Sequence, residues 1–427
     1  MKSFHNQLKG WGRSISLGWF LAYRQVKRSS LATTVLIVFV MTLTFLNLVV
    51  VRGVLVGLLQ GATNNYKNHY AGDIIITNLP KKNYIEHSQE IINNIKNLPS
   101  IDSYTHRYTE GGEIEANYKE KVRVTDDPNS AGTTIVGIDP DREDSVTGLA
   151  KFVVEGRYLL PDDTDGILLG ANLLRKYLDI EAPNISLLEN VEVGDKVRVS
   201  IGGVRKEFIV VGILKSKTDE IDFRAFIPEV TMRSLVGRGD YNVDEIAIVL
   251  EKGTDPLLAK EMILRSNVEK YARVLTWEES LPKFLIDIQN TFGLLGNAIG
   301  SIGLVVASIT IFIVIFINAI TRRKYIGILK GIGVMPGAIE VAYVMQAIFY
   351  AFLGIAIGFL IVYGFLVPFV DAHPIKFPFS DGILVAEVPG TILRGVLLLF
   401  ATIIAGFIPA RIVVKQNTLD AILGKTS

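Results

Sequence analysis

Two long stretches without a charged residue constrain this chain more than any other feature. One runs from Ile288 to Thr321 and the other from Val341 to Val370. Because ~20 helical residues cross the hydrocarbon core of a bilayer, each stretch is long enough for a membrane-spanning helix. The basic segment between them, residues 321–340 (TRRKYIGILKGIGVMPGAIE), carries four basic residues and one acid. Short loops rich in Lys and Arg stay in the cytoplasm, so we predict two spans joined by a cytoplasmic loop.

Two more segments are apolar enough to span a membrane. Leu31–Val51 is an uncharged run of 21 residues, and a shorter run lies near the C-terminus. We therefore predict four spans, one before a long interval and three after it, at about residues 31–52, 291–320, 341–370 and 393–410. Residues 1–30 contain six basic residues and no acid, which predicts a cytoplasmic N-terminus with an amphipathic segment along the membrane surface. The basic tail predicts a cytoplasmic C-terminus.

The interval between the first two spans, residues 53–287, has the composition of a water-soluble domain and is predicted to be extracytoplasmic. Its beginning and its end each show an order of strand, helix and strand, which predicts a split α/β sheet with its helices on one face. The residues between these two halves, about 111–235, contain β-branched runs and are predicted to form a β-rich insert. The predicted fold class is therefore an α-helical four-span membrane protein with a large extracytoplasmic α+β domain.

Several kinds of site are excluded or unsupported by composition. The chain has no cysteine, and its five histidines are scattered without metal-ligand spacing, so we expect no metal site. No basic stripe with interleaved aromatic residues indicates nucleic-acid binding. The terminal Gly424-Lys-Thr-Ser427 is not a phosphate-binding loop, because that motif needs a glycine five residues earlier, where Leu419 stands. We expect no catalytic or cofactor-binding residue, and ATP, if used, must bind to another chain.

Glycine pairs at a spacing of four occur in the predicted spans. Gly296 and Gly300 form one pair, and Gly354 and Gly358 form the other. Such pairs let helices approach closely, although chance is an equal explanation in glycine-rich spans. The spans carry no charge at mid-depth, which argues against an ion-coupled transporter.

The basic segment resembles the RRREIGILRAIGAS-like segment of ABC permeases of the FtsX/LolC/MacB superfamily, also called type VII ABC transporters. Pro409-Ala-Arg411 and Asn417–Leu423 are similar to the family's P-A-R…P-x-x-A-L tail. Parts of residues 53–287 are similar to its periplasmic core domain: Phe152–Arg157, Gly166–Gly170, Val193–Val199 and Phe208–Ile213. The chain departs from the family at Tyr325, where a Glu is usual, and at Thr418, where a Pro is common.

The resemblance implies a non-catalytic half-transporter that dimerises with itself or a paralogous permease and recruits a separate cytoplasmic ABC ATPase, which binds ATP and Mg²⁺. The basic segment would form a coupling helix seated in that ATPase, and ATPase closure would move the outer domain by mechanotransmission. The split α/β part and the insert would correspond to the family's porter and Sabre subdomains. The residues implied in the ATPase contact are Arg322, Arg323, Tyr325, Ile326, Gly327, Ile328, Leu329, Gly331 and Gly333.

Two functions of different classes fit the resemblance. The first is a permease subunit for export or for release of a lipoprotein or another lipophilic substrate, placed in the bacterial inner membrane. The second is an FtsX-like regulatory subunit that relays the state of the ATPase to a cell-wall hydrolase. An extracytoplasmic adaptor, a lipoprotein or a hydrolase would be the further partner. A membrane-anchored enzyme is a third hypothesis, but no catalytic constellation supports it.

Overall fold

The computed structural model describes residues 16–28, 30–118, 128–178, 186–373, 375–376, 381–382 and 384–415. The chain divides into two compact units. The α/β unit contains Gln60–Ile286, and the helical unit contains the described residues up to Leu59 and nearly all those from Asp287 onward. Of the predicted N-terminal amphipathic segment, residues 1–15 lie outside the described residues, as does the tail motif at 417–423.

The helices differ widely in length between the two units. Residues 16–27 are helical and are named α1. The other α-helices of the described residues are α2 (Leu31–Tyr66), α3 (Ser88–Lys96), α4 (Pro140–Thr147), α5 (Asp219–Asp222), α6 (Glu229–Val236), α7 (Pro256–Leu264), α8 (Lys283–Thr321), α9 (Arg323–Gly331), α10 (Pro336–Ile361), α11 (Val367–Ala372) and α12 (Val388–Val414). π-Helical turns extend α2 through Lys67–Ala71 and join α10 to α11 through Val362–Leu366.

Most strands belong to the α/β unit. The strands are β1 (Ile74–Asn78), β2 (Ile101–Ala116), β3 (Ser130–Ile138), β4 (Val153–Gly156), β5 (Gly166–Gly170), β6 (Lys196–Ile201), β7 (Val204–Leu214), β8 (Arg224–Pro228), β9 (Glu245–Leu250), β10 (Ala272–Thr276), β11 (Ile375–Lys376) and β12 (Asp381–Gly382).

Four helical segments of the described residues are long and apolar enough to cross a membrane: Leu31–Ala71, Lys283–Thr321, Pro336–Ala372 and Val388–Val414. Their order, one before the α/β unit and three after it, confirms the predicted fold class. One apolar core joins them, and its buried members include Phe45 on α2, Ile311 on α8, Tyr343 on α10 and Leu398 on α12. A bundle of spanning helices is the structure in which every backbone polar group is satisfied inside lipid.

The helices extend beyond the spans predicted from charge. The first span was predicted to end at residue 52, but α2 continues to Tyr66. Arg52 marks the end of the uncharged run, yet residues 53–66 contain no proline and keep apolar side chains such as Leu58 and Leu59, which are buried. A single charge at a span end can lie at the lipid headgroups without ending the helix. Similarly, α8 begins at Lys283, well before residue 291.

The two terminal parts of the α/β unit form the predicted split sheet. The strands β10, β1, β9 and β2 lie side by side in that order, and all three pairings are antiparallel. Helices α3 and α7 bury apolar residues in the same core as these strands, including Ile91 and Ile263. This order and the two helices correspond to a ferredoxin-like arrangement.

The long strand β2 belongs both to the split sheet and to the β-rich part. Residues 101–107 of β2 pair with β9, whereas residues 112–116 pair with β6, and β3 pairs along residues 107–115. The strands β2, β3, β8, β5, β7 and β6 each pair with the next, and β6 returns to β2, so these six close a ring. The insert predicted at about residues 111–235 therefore shares the continuous strand β2 with the split sheet. A Cβ at Gly112 would lie 2.9 Å from both Ile135 Cγ1 and Ser200 O, so glycine allows strands to meet there.

Candidate functional site

The basic segment contains the short helix α9, which ends in a tight backbone turn. The N–H of Gly333 donates to the carbonyl of Lys330, and the N–H of Val334 donates to the carbonyl of Leu329, both at 3.0 Å. This pair of bonds is a Schellman motif, in which the residue after the helix takes a positive φ. Gly333 has φ of +91°, a conformation that glycine adopts without steric cost. Val334 and Leu329 both pack against the core of the helical unit, as the motif favours.

The helix predicted over residues 321–340 is therefore too long. α9 covers Arg323–Gly331, and α10 begins at Pro336 with Met335 as its N-cap. Proline is favourable in the first turn of a helix because it needs no N–H partner there, but it cannot continue a helix that precedes it. Gly333 and Pro336 thus divide the basic segment into a helix, a turn and the start of the next helix.

One face of α9 is buried in the helical unit. The side chain of Ile326 is only 4% exposed and belongs to the core that joins the long helices. Gly327 is buried beside it, and Leu329 is half-buried against the same core. Full burial of an Ile side chain contributes ~1.5–3 kcal/mol in aqueous surroundings, so Ile326, aided by Leu329, holds α9 to the helix bundle.

The opposite face is apolar and exposed. It consists of side chains that are 51–73% exposed, and we name it the exposed face: Tyr325, Ile328, Ile332 and Met335. Tyr325 and Ile328 are three residues apart on α9 and so lie on one side of that helix, and Ile332 and Met335 lie in the turn that follows it. Contiguous exposed apolar groups on a protein surface mark an interaction site, unless they lie in lipid. Basic residues adjoin the exposed face, including Lys324, which is itself exposed.

The basic segment is also tied to the end of α12. The Nζ of Lys330 donates to the carbonyl of Val414 over 3.1 Å. Val414 is the last residue of α12, where unpaired carbonyls carry a partial negative charge that a cation stabilises. Lys330 therefore links α9 to α12, in addition to the contacts that Ile326 makes with the core.

The structure separates the nine predicted contact residues into two groups. Tyr325, Ile328, Gly331 and Gly333 are exposed, whereas the other five are buried or half-buried. It also adds Ile332 and Met335, which the sequence comparison with the family segment did not single out. The repeat of apolar residues at 325, 328 and 332 was the available signal, but periodicity does not reveal which apolar face is buried.

The glycines of α10 lie in close contact with α2. A Cβ at Gly354 would lie 2.4 Å from the Cβ of Met41, and one at Gly358 would lie 2.4 Å from Cδ1 of Phe45. At the same contact the hydroxyl of Thr42 lies 3.3 Å from the Gly354 carbonyl, to which it donates. Real Cβ atoms do not approach other atoms this closely, so only glycine fits both positions with α2 where it is.

The glycines of α8 also face α2, but less tightly. A Cβ at Gly296 would lie 3.4 Å from Cγ of Arg52, and one at Gly300 would lie 3.3 Å from Cδ2 of Leu48. Arg52 donates from Nη1 to Asn297 Oδ1 over 2.6 Å, which adds a polar contact between the two helices.

A buried charged cluster in the α/β unit was not predicted. Arg107 on β2 is fully buried, and its guanidinium contacts the Glu143 carboxylate at 2.7 Å and the Glu245 carboxylate at 3.5 Å. Its Nη2 also donates to the carbonyl of Tyr70 over 2.8 Å. Burial disfavours the charged guanidinium, but attraction by Glu143 outweighs it and raises the pKa of Arg107.

The cluster holds the ring of Tyr70, which lies on the π-helical turn that follows α2. The guanidinium of Arg107 lies 4.3 Å from the centre of this ring, and that of Arg224 lies 4.9 Å from it. Arg224 donates from Nη1 to the Tyr70 hydroxyl over 2.7 Å, and that hydroxyl donates to Glu245. No sequence signal joined these residues, because they are 21 or more positions apart along the chain.

Among the residues that the structure describes, no group of three or more His, Asp or Glu side chains could hold a metal ion. The titratable groups of the α/β unit described above are satisfied by ion pairs and hydrogen bonds within the fold. The basic segment is therefore the candidate site with the clearest surface for a partner.

Comparisons with known proteins agree with this emphasis on the C-terminal helices. Residues 297–418 match the family described as FtsX-like permease C-terminal. The chain is 25% identical over 342 residues to the uncharacterized ABC transporter permease MJ1507 of Methanocaldococcus jannaschii, covering 78% of each protein. These matches support an ABC transporter permease of the FtsX/MacB superfamily. A permease of this kind implies a partner ATPase.

Two further similarities involve MacB proteins. The permease is 23% identical over 224 residues to the macrolide export ATP-binding/permease protein MacB of Burkholderia thailandensis. This alignment covers 50% of this chain and 33% of that protein. The solved periplasmic region of MacB from Actinobacillus actinomycetemcomitans aligns with 49% of this chain and 90% of that one, with 16% identity and a TM-score of 0.34.

Proposed function

We propose that the permease is a non-catalytic transmembrane subunit that couples ATP hydrolysis by a separate cytoplasmic ATPase to movement of its α/β unit. In this proposal the ATPase binds the exposed face of the basic segment, and the α/β unit lies on the extracytoplasmic side of a bacterial inner membrane. The observation that carries the proposal is that α9 presents apolar side chains to solvent while its other face is fixed in the helix bundle. A rigidly held apolar surface suits a partner that must exert force on the bundle.

The lengths of α2 and α8 support mechanical coupling. With 36 and 39 residues at 1.5 Å per residue, they are ~54 Å and ~58 Å long. A hydrocarbon core is ~30 Å thick, so each helix is long enough to cross it and continue well beyond. Stiff helices of this kind can carry a displacement across a membrane. This mechanism does not require a path for substrate between the helices.

The orientation follows from charge in this proposal. The basic segment and the basic residues of 16–28 lie next to spanning helices, and positive residues in short loops stay in the cytoplasm. Both termini are then cytoplasmic. We further propose that the permease works as a dimer with itself or a paralogue, for export or for release of a lipoprotein or another lipophilic substrate, with an extracytoplasmic adaptor or lipoprotein as its outer partner.

Replacing Ile328 with glutamate tests the ATPase contact. Ile328 lies in the middle of the exposed face, and a charge desolvated in an interface lowers affinity by ~2 kcal/mol or more. We expect Ile328→Glu to reduce recovery of the co-expressed partner ATPase on the tagged permease at least about tenfold. The measurement is co-purification from solubilised membranes, with membrane content of the permease quantified in parallel.

Val230→Glu is the matched control for this experiment. Val230 is an exposed aliphatic residue on α6 in the α/β unit, so the same change of chemistry is made away from the basic segment. It should leave ATPase recovery unchanged. Undiminished recovery with Ile328→Glu, at equal membrane content, would refute the docking role of the exposed face.

A further inference from the structure

An apolar groove lies between α1 and α10 in the helical unit. It encloses about 280 Å³ and is lined on the α1 side by Trp19, Tyr23 and Val26, and on the α10 side by Met345 and Phe349. The two helices approach closely beside it, because a Cβ at Gly18 would lie 2.6 Å from Cγ1 of Val341. Small residues at this kind of crossing are typical of helices packed in lipid.

The rim of the groove is basic. Lys27 is one of the residues that line it; Arg24 lies within one turn of Lys27 on α1, and Arg28 directly follows the helix. No acidic residue occurs in residues 1–30. The side chains of Trp19 and Tyr23 are exposed next to these cations. Tryptophan and tyrosine favour the level of the lipid headgroups, and Lys or Arg near an anionic leaflet adds electrostatic attraction.

We propose that this groove is a binding site for an anionic phospholipid. One acyl chain would occupy the apolar groove between Val26 and Phe349, and the headgroup phosphate would lie against Lys27. Charge complementarity selects the occupant, since a zwitterionic headgroup has an ammonium group that the cations at the rim would repel. The site would fix α1 to α10 through a lipid, which is a role separate from binding of the ATPase.

A second groove of the helical unit provides an internal comparison. It encloses about 370 Å³ between α8 and α12 and is lined by residues such as Ile309, Phe312 and Ile404. Its lining contains no charged side chain. It should accept acyl chains without discriminating between headgroups. Comparing the two grooves therefore distinguishes specific binding of an anionic lipid from general contact with lipid.

Tryptophan fluorescence can report on both grooves. In the full-length protein with Trp11→Phe and Trp277→Phe, Trp19 is the remaining tryptophan. Its quenching is measured in vesicles that contain phosphatidylglycerol or phosphatidylcholine with brominated acyl chains, at equal mole fractions. We expect apparent binding of the anionic lipid to be about fivefold stronger, the factor that one basic residue contributes at an anionic surface. Lys27→Gln should lower that preference about fivefold.

The comparison protein carries Trp11→Phe, Trp19→Phe, Trp277→Phe and Phe312→Trp, which places the reporter in the uncharged groove. It should show equal quenching by the two lipids. Equal quenching at Trp19, a preference that persists after Lys27→Gln, or the same preference in the comparison protein would each overturn the proposal, because each would indicate ordinary lipid contact or a general surface potential. These outcomes do not depend on whether an ATPase binds the basic segment.

Discussion

Arg107 is a fully buried, paired cation in the interior of the α/β unit. It is buried and neutralises two carboxylates, Glu143 and Glu245, while it also holds Tyr70. A buried ion pair adds little net stability compared with apolar residues, but removal of one partner leaves an uncompensated charge in a site of low polarity. Arg107 therefore matters for stability because its removal would leave the buried carboxylates of Glu143 and Glu245 without a cation.

Arg107→Met should lower the free energy of unfolding of the α/β unit by ~3–5 kcal/mol, because Glu143 would remain buried without its cation. Denaturant unfolding of the purified permease, followed by the fluorescence of Trp277, provides the measurement. Arg157→Met is the control, since Arg157 is half-exposed in its pair with Asp163 and such pairs contribute ~1 kcal/mol or less. Similar losses in the two variants would contradict the importance of burial.

Asp244 makes the stability of the α/β unit depend on pH. Burial raises the pKa of its carboxyl to about 6, although the Thr109 N–H and Arg238 partly oppose this. A folded pKa above the unfolded value means that the folded state binds the proton more tightly. The stabilisation is present below about pH 4 and is lost as pH rises through the folded pKa.

Relative to Asp244→Asn, the unmodified permease should thus lose roughly 3 kcal/mol of unfolding free energy between pH 4 and pH 7, since each pKa unit corresponds to ~1.4 kcal/mol. Unfolding of both proteins across this range measures the difference. The sign is decisive, because a carboxyl whose pKa were lowered by Arg238 would produce the opposite slope.

At the scale of secondary-structure elements, the close contact between α2 and α10 depends on glycines of α10, which have no side chain to keep the helices apart. Gly354→Val would place a Cβ 2.4 Å from Met41 Cβ and 3.0 Å from the Met41 carbonyl carbon. Since backbone cannot move aside as a side chain can, the helices would have to separate. Overpacking of this kind costs ~1–3 kcal/mol, which we expect to lower the thermal stability of the purified permease.

Gly293→Val on α8 is the matched control, because a Cβ built there has nothing within 4 Å apart from the local backbone of its own helix. Both changes put the same β-branched residue into a long apolar helix, so effects of helix propensity are shared. An equal fall in thermal stability for the two variants would show that the contact with α2 is not what makes position 354 sensitive.

The basic segment shows why one element can combine stability with recognition. Its inner face, centred on Ile326, is held by the core, Gly333 follows the end of α9, and Pro336 begins α10. The outer face is then free to be apolar without being needed for folding. Changes on the exposed face should consequently alter partner binding more than stability.

For the molecule as a whole, the orientation in the membrane is the most informative prediction to test. The chain has no cysteine, so single cysteines can be introduced without a modified background. Arg205 is exposed at the hairpin between β6 and β7, and Lys324 is exposed on α9. In the proposed orientation α9 is cytoplasmic, so Arg205→Cys should react with an impermeant thiol reagent on intact spheroplasts, and Lys324→Cys should not.

Membrane disruption supplies the positive control, since Lys324→Cys should then become reactive. Labelling of Lys324→Cys but not Arg205→Cys on intact cells would reverse the topology and, with it, the proposed position of the ATPase.

Local composition was sufficient for the features that depend on the solvent around each segment. Uncharged runs identified the four spans, since transfer of a charge into hydrocarbon is costly wherever it occurs in a fold. The order of strands and helices at the two ends of the α/β unit also followed from local periodicity. The turn between β6 and β7 lies at Gly202-Gly203, where φ is positive at both residues, a conformation that favours glycine in hairpins.

Other features arose only when distant parts of the chain came together. The closure of β6 onto β2, the enclosure of Arg107 by Glu143 and Glu245, and the contact of Gly354 with Met41 join residues that are far apart in sequence. The same holds for α9, whose exposed face is known only because Ile326 meets the core. A side chain's own chemistry determines whether it tolerates water or lipid, but its partners are chosen by packing, and packing is a property of the folded chain.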